Sequence, residues 1–174
     1  MIFQLVICLL FQEISFYYSH RLLVCISLCF NANLFQHWGP LYQGIHKIHH
    51  EFRAPVAMAA IYAHPLEFIF SNLVSIEIGP VICGSHFLLN LIWFTISTIG
   101  TLSHHSGYQR FWQVGGLDPR FHDYHHYSFI WHFGTLGLLD RIHGTINFKG
   151  FKEYRKIASD FNLWKQLNDQ EKKE

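Results

Sequence analysis

Charge is what this chain has least of. Only 14% of its 174 residues are Asp, Glu, Lys or Arg, while half are hydrophobic; an average soluble chain is about one-quarter charged. The net charge of +1 leaves a nucleic-acid partner without electrostatic support. Cysteine is sparse as well. Cys8, Cys25, Cys29 and Cys83 all sit in apolar runs with no C-x-x-C spacing, which argues against a disulfide framework and for buried, reduced thiols. No H-E-x-x-H string occurs, since Glu51-Phe52 follows His50, and the metalloprotease pattern is excluded. Cysteine ligands of a zinc finger are missing from the histidine-rich segments. No repeat of the solenoid kind and no low-complexity tract is present.

Histidine is there in excess. The chain has 14, more than its 13 Lys and Arg together, and imidazole is the commonest side-chain metal ligand. His46-Lys47-Ile48-His49-His50 forms an H-x-x-H-H box, and His122-Asp123-Tyr124-His125-His126 forms another, 76 residues later. On a helix, positions i, i+3 and i+4 share a face, so each box is expected to aim three imidazoles at one point. Two facing boxes then suit two metal ions a few ångströms apart. Imidazole serves Zn, Fe, Cu and Ni alike. A closed structural zinc site needs only four ligands, and eight or more histidines favour a pair of irons and dioxygen chemistry over hydrolysis. His86 and His132 lack this patterning and read as packing or hydrogen-bonding residues.

The apolar runs point to a membrane. Residues 1–23 are long enough, as a helix, to enter or span a bilayer. A basic start and a small-residue cleavage site are both lacking, which rejects a signal peptide. Glu13 and His20 fall within that helix, and ionisable groups at such depth are functional candidates. A second apolar stretch, 66–102, is interrupted by Gly79-Pro80 and Cys83-Gly84. Helices rarely run through such pairs, which predicts two shorter helices over 66–78 and 86–102, as a re-entrant hairpin or a tight pair. The competing reading is two core helices of a soluble all-α protein.

F-Y-Y-S-H-R-L-L from Phe16, I-H-K-I-H-H-E from Ile45, Y-A-H-P-L-E from Tyr62, H-S-G-Y from His105, F-H-D-Y-H-H from Phe121 and D-R-I-H-G-T from Asp140 occur in this order. Through these strings the chain resembles the fatty acid hydroxylase and sterol desaturase superfamily over residues 13 to about 146. Within it, the motifs are most similar to the sterol C4-methyl oxidases and the fatty acid hydroxylase domain-containing protein 2 group. The resemblance implies an all-α integral membrane helical bundle with a cytosolic, His-rich di-metal cap. It also implies a di-iron, O2-dependent monooxygenase of the endoplasmic reticulum membrane that oxidises a C–H bond of a sterol or fatty acyl lipid. Electrons would come from NAD(P)H through a cytochrome b5-type donor. Carried over by motif, the ligands are His20, His46, His49, His50, His122, His125 and His126, with His64 and His105 matching further family positions. Asp123 is a candidate acceptor for a neighbouring imidazole, and Asp140 reads as structural, near the Gly144-Thr145 turn.

The first box departs from the family. It should read H-x-x-x-H, yet Val24 stands where the second His belongs, and the expected continuation appears only at His37. Removing residues 24–36 restores the box and makes His37 a ligand beside His20. Val is encodable from GT and Phe-Gln as TT-CAG, the marks of a short intron's ends, so 24–36 is expected to be a retained intron or a gene-model error; a genuine insertion is the alternative. With the segment present, His20 and His37 leave adjacent turns. A metal-binding membrane protein without activity is therefore the alternative function, and a zinc- or copper-handling membrane protein a third. The expected organisation is a membrane domain over 1–150, N-terminally truncated, and a charged tail over 151–174. Basic residues Arg21, Lys47 and Arg53 and those from Lys149 onward flank the boxes, which the positive-inside rule places in the cytosol.

Overall fold

The computed structural model of the chain describes residues 1–24, 41–52, 56–107 and 115–160. Residues 25–36 of the suspected insertion, His37, Arg53 and the end of the charged tail lie outside the described residues. Among the described residues every regular element is helical and no strand occurs. Helix α1 is Ile2–Val24, α2 is Lys47–His49, α3 is Pro65–Ile82, α4 is Phe87–His104, α5 is Pro119–Ser128, α6 is Leu138–His143 and α7 is Phe148–Ser159. The fold is the expected all-α bundle.

Helix α1 forms because 23 residues pass without a Gly or Pro. It buries Cys8, Glu13, Tyr17, His20 and Val24 along one face and leaves Phe3 and Leu10 outside. Helices α3 and α4 repeat that pattern, with Phe70 and Phe87 61% and 72% exposed. A folded surface this apolar is stable against lipid rather than water. All three helices are long and apolar enough to cross a membrane.

The starts of α3, α4, α5 and α7 follow from their sequences. His64 caps α3, its Nδ1 accepting from the Leu66 N–H at 3.2 Å, with Pro65 at the first helical position. His86 caps α4 in the same way. Asp118 caps α5 through the Arg120 N–H, with Pro119 following, and Asn147 caps α7. Each cap satisfies a backbone donor that the helix itself leaves open.

The break expected at Gly79-Pro80 is absent: α3 continues through both residues to Ile82. Two local features explain it. Pro80 cannot donate to the Ile76 carbonyl four residues back, and that carbonyl instead accepts from the Trp93 indole N–H of α4 at 2.8 Å. Gly79 is required by α1, because a Cβ there would stand 2.5 Å from the Cys8 Cα. The close approach of α1 and α3 is that of small-residue membrane interfaces, and it continues at the Ser75–Ser15 hydroxyl pair, 3.1 Å apart. Cys8, Ile76 and Trp93 form the apolar cluster around the crossing.

Helix α7 straddles residue 150, where the membrane domain was expected to give way to the tail. Its Tyr154 is buried against the rings of Tyr124 and Tyr127 on α5, and Arg155 approaches Asp118 at 3.7 Å.

Candidate metal centre

Three helical pieces and one helix end deliver eight histidines to a single buried region. Helix α1 contributes His20. A π-helical turn, Tyr42–His46, runs directly into α2 and presents His46, His49 and His50. Helix α5 contributes His122, His125 and His126, and every residue from Pro119 to His126 on it is buried. His105 stands at the C-terminal end of α4. All eight are buried, none more than 7% exposed.

They sort into two quartets. In one, a ring nitrogen from each of His20, His46, His50 and His125 lies within 4.8 Å of the others; in the second, the same holds for His49, His105, His122 and His126. The boxes therefore do not each converge on one point, as their spacing suggested. Each box sends its i, i+4 pair to one quartet and its i+3 histidine to the other: His46 and His50 against His49, and His122 and His126 against His125. The quartets share a wall, with the His50 and His126 rings 4.5 Å apart.

The hydrogen bonds decide which nitrogen faces inward. The Nδ1–H of His20 donates to the Phe133 carbonyl at 2.8 Å, that of His49 to Tyr62 at 3.1 Å, that of His105 to Thr101 at 2.9 Å and that of His125 to Trp131 at 2.9 Å. His46 Nδ1 donates to the Glu67 carboxylate at 2.6 Å. A carbonyl only accepts, so these rings hold their proton on Nδ1 and turn a bare Nε2 inward. Nε2 nevertheless meets Nε2 at 3.2 Å between His20 and His46, and at 3.3 Å between His49 and His105. Two lone pairs at that distance repel each other unless a cation sits between them. Burial holds His46 down to about 3 and pushes His50, His105, His122, His125 and His126 well below the ordinary imidazole value, with neighbouring imidazoles adding to the effect. The site is thus two clusters of neutral nitrogen donors, and this donor set suits transition metals. The buried Nδ1 atoms of His50 and His126 have no partner among the described residues.

The remaining candidates fall elsewhere. His64 joins neither quartet, its Nδ1 being engaged in capping α3, and His37 lies outside the described residues. His132 is structural: it stacks on Phe121 at 4.0 Å, and its nitrogens bond the Phe121 carbonyl and the Asn147 N–H. Asp123 makes no hydrogen bond to an imidazole among the described residues; burial, then Asp118, raises its carboxyl, with Arg120 opposing. The carboxylate that orients an imidazole is Glu67, which the sequence reading passed over. Its signal was available, as an acidic residue inside an apolar run, in the string His64-Pro65-Leu66-Glu67.

Glu13 also has a role that its depth in α1 did not reveal. Its Oε2 accepts from the Thr135 and Leu136 N–H groups and the Thr135 hydroxyl, and its Oε1 from the Leu138 and Leu139 N–H groups. Asp140 accepts from the Phe133 and Gly134 N–H groups and from Thr145. Between them the two carboxylates set the loop that supplies the Phe133 carbonyl to His20. This confirms the structural reading of Asp140.

The model of the fatty acid hydroxylase family matches residues 5–145. Human fatty acid hydroxylase domain-containing protein 2 is 40% identical over 154 residues, 88% of this chain and 41% of that protein. A putative methylsterol monooxygenase of Dictyostelium discoideum is 34% identical, covering 83% of this chain and 51% of its own length. A rice very-long-chain aldehyde decarbonylase is 29% identical over 90% of this chain and 54% of its own. The chain thus spans from about two fifths to about half the length of these relatives. No solved structure matches it.

Proposed function

The chain belongs to the fatty acid hydroxylase family, and from that premise we propose that it is a membrane di-iron monooxygenase acting on a C–H bond of a sterol or fatty acyl lipid. The observation that carries the reading is the pair of buried quartets, whose lone pairs converge on one another. One iron would be held by His20, His46, His50 and His125, and the other by His49, His105, His122 and His126. When bound, the irons supply the activation of dioxygen that oxidation of an unactivated C–H bond demands.

The protein's own part is positioning and exclusion. Carbonyls of Tyr62, Thr101, Trp131 and Phe133 and the Glu67 carboxylate lock five rings in the tautomer that presents Nε2. Burial keeps the rings neutral and water out. Helices α1, α3 and α4 frame a cavity that reaches His20, His49, His105 and His122, and in this reading the lipid would lie there. In this reading electrons arrive from NAD(P)H through a cytochrome b5-type partner, and the chain sits in the endoplasmic reticulum membrane with its boxes in the cytosol.

Metal content per chain in purified protein tests the proposal, for the sequence as it stands and for a form lacking residues 24–36. Two irons in both forms support the di-iron site and a tolerated insertion. Two irons in the shortened form alone support a first box interrupted by the segment. The absence of transition metal from both would sink the oxygenase reading.

A further inference from the structure

The cavity that reaches the histidines is not the plain apolar tunnel that an unfunctionalised hydrocarbon needs. On the α3 side it is lined by Glu67, Ser71, Asn72 and Ser75, and on the α1 side by Gln12. These are polar residues within helices apolar enough to cross a membrane, where such side chains are expensive and tend to serve function. Their arrangement depends on a local irregularity. Residues Phe68–Leu73 form a π-helical turn, wider than an α-turn and a recurrent feature of functional sites. The wider turn brings both Ser71 and Asn72 onto the cavity face, in line with Glu67 before it and Ser75 after it.

Hydrogen bonding leaves this strip with capacity for a guest. The Ser97 hydroxyl donates to Gln12 Oε1 at 3.4 Å, which leaves the Gln12 amide nitrogen as a donor. Among the described residues, the buried Ser71 makes no side-chain hydrogen bond and the buried Glu67 Oε2 has no partner. Charge narrows the guest. No Lys or Arg is among the described residues lining the cavity, and one carboxylate is already there. A second carboxylate seated on this strip would find no Lys or Arg to pair with, at a large desolvation cost. A hydroxyl or carbonyl would find donors and acceptors alike.

We infer that Gln12, Ser71 and Asn72 form a subsite for an uncharged oxygen function of the substrate, so that the cavity takes neutral lipids in preference to free fatty acid anions. The inference rests on the proposed function in treating the cavity as the substrate's.

The test uses the full chain in lipid nanodiscs with two photoreactive probes of equal chain length, a diazirine-bearing long-chain alcohol and the corresponding carboxylic acid. Alkaline pH keeps the acid ionised. Labelled peptides are located by mass spectrometry, and metal content is measured on the same samples. The alcohol is expected to label cavity residues about five- to tenfold more than the acid, the worth of one or two hydrogen bonds. In Gln12→Leu/Asn72→Leu the preference should vanish while metal content stays the same. Equal or stronger labelling by the acid overturns the subsite, as does labelling of the cavity by neither probe, and neither result requires a variant to fold. A preference that survives in the double variant overturns it too. Metal-loaded protein without the preference would sink the subsite and leave the oxygenase reading standing; preference without metal would do the reverse.

Discussion

A neutral imidazole has one N–H and one lone pair, and in five of the eight rings the N–H is spent on the scaffold so that the lone pair faces inward. Replacing one ligand should therefore differ sharply from replacing a nearby histidine of the same motif. His46→Ala is expected to empty its quartet, whereas His64→Ala should keep full metal content and lose only about 1 kcal/mol of helix capping; elemental analysis and thermal unfolding separate the two. Glu67→Gln keeps an oxygen near His46 Nδ1 but removes the charge, and metal affinity should fall about 10- to 100-fold, read by competition with a chelator. The pH dependence has a definite sign. Burial holds His46 near 3 in the folded state against an ordinary 6.5, so the unfolded chain binds the extra proton first. Stability from this group is complete above about pH 6.5 and is lost progressively as pH falls toward 3. Protons compete with metal for the same lone pairs, so metal release should follow the same direction in an acid titration.

At the scale of elements, the helices are held by contacts that a hydropathy plot does not register. Gly79→Val would drive a side chain into the α1 backbone at Cys8, and a loss of more than about 2 kcal/mol is expected. Trp93→Phe removes the donor that replaces the missing Pro80 N–H, at about 1–3 kcal/mol. Unfolding in detergent, compared with the unaltered chain, checks both. Glu13→Ala should be more severe, about 3–5 kcal/mol, because four backbone N–H groups lose their shared acceptor. Limited proteolysis between residues 134 and 139 should rise with it. If that loop stays protected, the anchoring role assigned to Glu13 is wrong.

At the scale of the whole molecule, much was legible in the chain itself, because it depends on residue type and period. Long apolar runs poor in charge mean helices that prefer lipid, and two H-x-x-H-H boxes mean neutral nitrogen donors grouped on helices. Both follow from local chemistry and hold before any contact is made. Tertiary packing decided the rest. It split each box between two quartets, since which ring meets which depends on how α2 and α5 face each other rather than on spacing within either. It carried α3 through Gly79-Pro80, because a tryptophan from α4 replaces the donor that proline lacks. It took His64 away to cap a helix and brought Glu67 to His46 across 21 residues. Glu13, which read as functional from its depth alone, became the anchor of a loop more than 120 residues away. Such partners are separated along the chain and joined only in space, so no window of sequence contains both halves of the interaction.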